Sequence, residues 1–177
     1  MPTRASLLSA VFDENEISTL ARSLNPNNVP NKGTLDEVHG LFTSQGLKFA
    51  DRELEQVAAY YSSAVGQKER EILRTATARF AGGDDAQRKS LMQSSAPPRP
   101  KVEQLIRLYD IGGLFRNIGK QLPISSSQME AILASIYGTL SDSELDEMIT
   151  FHRSAVGQKC ANAARTAGIS VLSHSRA

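Results

Sequence analysis

Apolar residues along this chain recur at helical spacing, and no stretch shows sustained period-two alternation. Leu54, Val57, Ala58, Tyr61 and Val65 form one stripe at i, i+3, i+4, i+7 and i+11. Val102, Leu105, Ile106 and Tyr109 form a second, Leu114, Phe115, Ile118 and Leu122 a third, and Met129, Ile132, Leu133, Ile136 and Tyr137 a fourth. Start signals precede the stripes. Thr3 caps a helix carrying Leu7, Leu8 and Val11, and Asp13 with Glu16 opens another with Ile17, Leu20 and Leu24 facing inward. Thr34 with Glu37 is a capping box ahead of Leu35, Val38, Leu41 and Phe42, in a helix ending near Gly46. Ser125 to Ser127 cap the helix of Met129, and Ser141 with Glu144 is a second capping box. Between these lie loops: 25–33, broken by two prolines and a glycine; 81–85, followed by a short polar helix to Met92; Gly112-Gly113; and Pro123. The pattern predicts an all-α protein of about seven to nine helices.

The hexapeptide Ser63-Ala64-Val65-Gly66-Gln67-Lys68 returns unchanged as Ser154-Ala155-Val156-Gly157-Gln158-Lys159, an offset of 91 residues. Over residues 51–76 the same offset gives 12 identities without a gap, and Glu55/Asp146, Val57/Met148 and Tyr60/Phe151 exchange like for like. A spacing of 91 exceeds solenoid periods, so the expectation is a helical bundle of two related halves, each with a helix–turn–helix hairpin, packed about a pseudo-twofold axis. The halves are 1–94 and 101–177, joined by a proline-rich linker at 95–100.

Within the repeated corner, Ser63 and Ser154 offer cap side chains, Gly66 and Gly157 permit close helix approach, and Tyr60 or Phe151 fills the core. A helix running unbroken through Gly66 is the alternative. In the first half Ala50 stands where Ser141 caps the second, so Asp51 is expected to take over the cap. Lys68 and Lys159 open a helix, where the macrodipole disfavours a cation. They therefore invite a partner: Glu53 or Glu144 in the neighbouring helix, or an anionic ligand at the helix N-terminus. With Gln67 and Gln158 beside them they are the candidate interaction residues, and a structural salt bridge is the favoured reading.

An acidic residue with Glu-Leu, an aromatic about seven positions on, then Ser-x-x-Gly-Gln-Lys resembles the bacterial domain of unknown function family 2059. Asp142-Ser143-Glu144-Leu145 through Phe151-His152-Arg153-Ser154-Ala155-Val156-Gly157-Gln158-Lys159 carries the resemblance best, and Asp51 through Lys68 nearly as well. Ala64 and Ala155 stand where that family often has Pro. The likeness covers the hairpins, about a third of the chain. It implies an all-helical protein exported to the periplasm or secreted, and brings no catalytic residue with it.

Composition narrows the partners. With 20 basic and 19 acidic residues the formal charge is +1, which gives no field to draw nucleic acid or an anionic membrane. No apolar run is long enough to span a bilayer. Residues 1–8 lack a hydrophobic signal segment, so a cytoplasmic location is the alternative to export. Cys160 is the sole cysteine, and His39, His152 and His174 are scattered without metal-ligand spacing, so no metal or cofactor is expected. Cys160 and His152 lie on the two arms of one hairpin, but their counterparts Glu69 and Tyr61 do not repeat the pair. No catalytic residue is assigned. The leading expectation is a non-enzymatic protein that binds a protein or peptide partner. The runner-up is a small hydrophobic-ligand binder in a cleft between the halves, and a thiol enzyme using Cys160 comes third. The oligomeric state is left open.

Overall fold

The computed structural model describes residues 3–11, 36, 40, 43–82, 99–109 and 126–174. Every regular element among them is an α-helix. These are α1 (Arg4–Val11), α2 (Asp51–Ser62), α3 (Ala64–Gly82), α4 (Pro100–Tyr109), α5 (Ser126–Tyr137), α6 (Asp142–Arg153) and α7 (Ala155–His174). The start at Asp13, the 25–33 loop, the polar helix before Met92, residues 95–98 of the linker and the stripe from Leu114 to Leu122 lie outside the described residues. Pro100 begins α4, a place where its missing N–H costs nothing. None of the described helices is long and apolar enough to cross a membrane.

The caps follow the sequence signals with one exception. Thr3 Oγ1 accepts from the Ser6 N–H at 3.2 Å, and the Ser141–Glu144 box closes in both directions. In the first half, however, Ala50 is itself the N-cap and Asp51 is already inside α2. Asp51 does not cap. The Glu53 carboxylate accepts from the Ala50 N–H at 2.7 Å, and the reciprocal bond is missing because Ala50 has no side-chain acceptor. Asp51 instead takes the guanidinium of Arg4.

Each hairpin breaks at its serine. α2 stops at Ser62, and Ser63 is extended at φ −71°, ψ 160°. Its Oγ then accepts from the Gly66 N–H at 3.1 Å; Ser154 does the same for Gly157 at 3.0 Å. The glycines sit against the preceding helix so tightly that an added Cβ would come 2.1 Å from the Tyr60 carbonyl oxygen at Gly66, and 2.0 Å from that of Phe151 at Gly157. Only glycine fits there, because the obstacle is backbone.

The apolar side chains gather in two clusters, and each borrows from the other hairpin. Leu7, Phe49, Leu54, Val57 and Ala58 pack with Cys160 and Ala163 of α7. Val102, Leu105, Ile106, Leu133, Tyr137, Leu140, Leu145 and Met148 pack with Ile72 of α3. Val65 and Val156 cross over in the same sense. Ile72 and Ala163 are themselves 91 residues apart. The second arm of each hairpin thus lies in the cluster of the first arm of the other. That explains why α2 buries Tyr60 beside the Leu54 stripe: it faces its own cluster on one side and the other hairpin on the next.

Candidate functional site

The crosswise arrangement brings the repeated corners together. Lys68 Nζ meets Glu144 Oε1 at 2.6 Å, and Lys159 Nζ meets Glu53 Oε2 at 2.6 Å. The expected lysine–glutamate bridges therefore form, each with the glutamate of the other hairpin. Both glutamates already serve their own helix starts by accepting a backbone N–H, so one carboxylate joins a cap to a cross-hairpin ion pair. The Lys68 ammonium holds the Glu144 carboxyl down at about 2, and Lys159 lowers Glu53. Lys159 also lies 4.9 Å from the centre of the Phe49 ring. Gln158 donates to the His152 carbonyl, and Gln67 reaches the Ser62 carbonyl at 3.5 Å. All four candidate interaction residues thus make contacts within or between the corners.

Behind the corners the aromatic residues meet. Tyr60 and Phe151 stack with ring centroids 3.7 Å apart and planes 6° from parallel. Tyr61 and His152 stand edge-on to this pair. Beneath it sits Glu69, wholly enclosed, in contact with His152, which is 3% exposed. Tyr60 Oη donates to Glu69 Oε2 at 2.5 Å, and His152 Nε2 lies 2.7 Å from Glu69 Oε1. Both carboxylate oxygens of Glu69 are thus engaged by side chains from other helices. Burial first, then the charge of Glu69, pushes the Tyr60 phenol well above its usual range, which keeps it a donor.

The other side of the stack holds a neutral version of the same pair. Tyr61 packs against the apolar cluster that holds Cys160. Tyr61 is the counterpart of His152, and Cys160 of Glu69. The sequence-level Cys160–His152 pair is thus two separate contacts, each residue being partnered from the first hairpin. Burial pushes the Cys160 thiol up to about 11, so it is protonated at neutral pH and lacks the thiolate a nucleophile needs. Sequence reasoning missed the Glu69–His152–Tyr60 cluster. Its signal was present: positions 61 and 69 both break the repeat, and they break it together.

At the surface, Pro100, Glu103, Gln104, Arg107 and Leu108 of α4 form an open groove of about 390 Å³ with Arg153 at the end of α6. No group of three or more His, Cys, Asp or Glu side chains suited to a metal occurs among the described residues. The enclosed cluster bonds within itself across the hairpins, whereas the groove is open to solvent. Compared with known proteins, the chain matches no family, no curated protein and no solved structure.

Proposed function

We propose that this is a non-enzymatic helical protein that engages a protein or peptide partner, exported to the bacterial envelope as the hairpin motif suggests. The reading rests on the contrast between its two polar regions. The residues with chemical potential, Glu69, His152, Tyr60 and Cys160, are buried, and the first three spend hydrogen bonds on one another across the hairpins. The polar groups that face outward in a concave surface line the α4–α6 groove, which is too open to enclose a small molecule.

A photo-crosslinking amino acid at Leu108, within the groove, tests this in the cells that make the protein. A discrete protein adduct from Leu108, absent when the same group replaces Glu55 on the exposed side of α2, supports the reading. Absence of any protein adduct overturns it. So does a copurified apolar molecule of a few hundred daltons in native mass spectrometry.

A further inference from the structure

We propose that the α4–α6 groove receives an acidic segment of its partner, with peptide carboxylates taken by the guanidinium groups of Arg107 and Arg153 on either side of Gln104. This inference rests on the partner-binding reading and names the chemistry of the occupant.

The helical period places Gln104, Arg107 and Leu108 on one face of α4, at i, i+3 and i+4. Leu108 is partly buried against the second apolar cluster and gives the groove an apolar floor. Arg153 enters from the last residue of α6. With the Gln104 amide oxygen turned towards it, Arg153 donates through Nε at 3.0 Å and through Nη2. That contact fixes the guanidinium plane. It also turns the amide nitrogen of Gln104 away from Arg153, as a further donor.

The charges in the groove do not cancel. Among the described residues Glu103 is the one lining carboxylate, and it pairs with Arg107 at 3.6 Å while both are well exposed. Arg153 has a neutral acceptor and no carboxylate among the described residues. A pair so loose and solvated is easily exchanged for an incoming carboxylate, while the Arg153 charge meets no carboxylate among the described residues.

The repeat supplies an internal control for Arg153. Its counterpart at the end of α2 is Ser62, and that hairpin makes the same break, the same serine cap and the same tight glycine. The corner does not require a cation at this position. Arg153 is an addition to the second hairpin alone, and the groove is what it faces.

The test measures fluorescence anisotropy of a labelled amidated peptide alternating Glu and Leu, its Gln-for-Glu version, and a neutral peptide with a free C-terminus. The full-length chain should bind the acidic peptide, weaken as salt is raised, and bind the Gln version about tenfold less. R153S installs the residue of the first hairpin and should keep the melting temperature while losing about tenfold in affinity; R107Q should lose a similar factor. Stronger binding of the neutral free-terminus peptide would assign the carboxylate to a chain end, which overturns the acidic-segment occupant. Equal binding of the Glu and Gln peptides, or undiminished binding by R153S and R107Q, also overturns it. So does free glutamate competing as well as the peptide, which would make this a small-anion site. No peptide binding combined with a Leu108 protein adduct overturns the acidic occupant and leaves the partner reading standing.

Discussion

His152 Nε2 lies 2.7 Å from Oε1 of Glu69, across 83 residues of chain and out of reach of water. Because the pair bridges the two hairpins, the stability of their union depends on it. Removing one partner strands a buried polar group. E69A and H152A should each destabilise by about 3–5 kcal/mol. The double variant E69C/H152Y installs the Cys–Tyr pair found on the other side of the stack, and should recover much of that loss. Urea unfolding of the four proteins decides the matter; a double variant as weak as the sum of the singles would sink the idea that the two sides are interchangeable.

The glycines at the corners admit no side chain. G66A and G157A each force a methyl into a backbone carbonyl, and neither neighbour can swing aside as a flexible side chain would. Each should cost about 1–3 kcal/mol or more. S63A and S154A remove a cap and should cost about 1 kcal/mol. A melting temperature for G157A equal to that of S154A would show that the hairpin arms can separate without penalty.

Acid should loosen the cross-hairpin ion pairs. Glu144 has its carboxyl lowered from 4.5 to about 2, so the folded form holds its proton less tightly than the unfolded chain. The stability this gives is present above pH 4.5 and is lost as pH falls towards 2. Glu53 adds in the same direction. In a thermal melt series, K68M and E144Q should flatten the acid limb. An acid limb identical in wild type and K68M would contradict the pairing.

Base should act through Cys160. Its folded pKa of about 11 exceeds the ordinary 9.0, so the stability it contributes is present below pH 9 and falls as pH rises towards 11. C160S should lessen that alkaline loss. The native thiol should resist a disulfide reagent at pH 8 and react at once in denaturant, a comparison read from absorbance. Rapid labelling of the folded protein would place the thiol outside the core.

Much of the helical architecture was legible because it is local. The Leu54 and Val102 stripes, the Thr3 cap, the Ser141 box and the breaks at Ser63 and Ser154 all depend on residues within a turn or two. The Ala50 cap misled, since glutamate three residues on can serve the helix start without any acceptor at the cap itself. Long-range partners were hidden. Arg4 donates to the Phe49 carbonyl and Asp51, as Arg99 does to the Leu140 carbonyl and Asp142. The acceptors are 91 residues apart but the arginines are 95, so an ungapped comparison cannot align them. The choice between partners for Lys68 was likewise open, because Glu53 and Glu144 look identical until the hairpins are placed. Glu69 alone reads as an ordinary helical surface charge; only the approach of His152 from the other hairpin makes it a core residue.

The exchange of arms bears on what a single hairpin could do by itself. Such a fragment would carry a lysine lacking its glutamate, a glutamate lacking its lysine and an aromatic ring with one bare face. Two copies of it could satisfy each other's charges, Lys68 to Glu53 in both directions. A free hairpin would therefore favour self-association over solitude, and the chain that holds both hairpins in one molecule closes these pairs within itself.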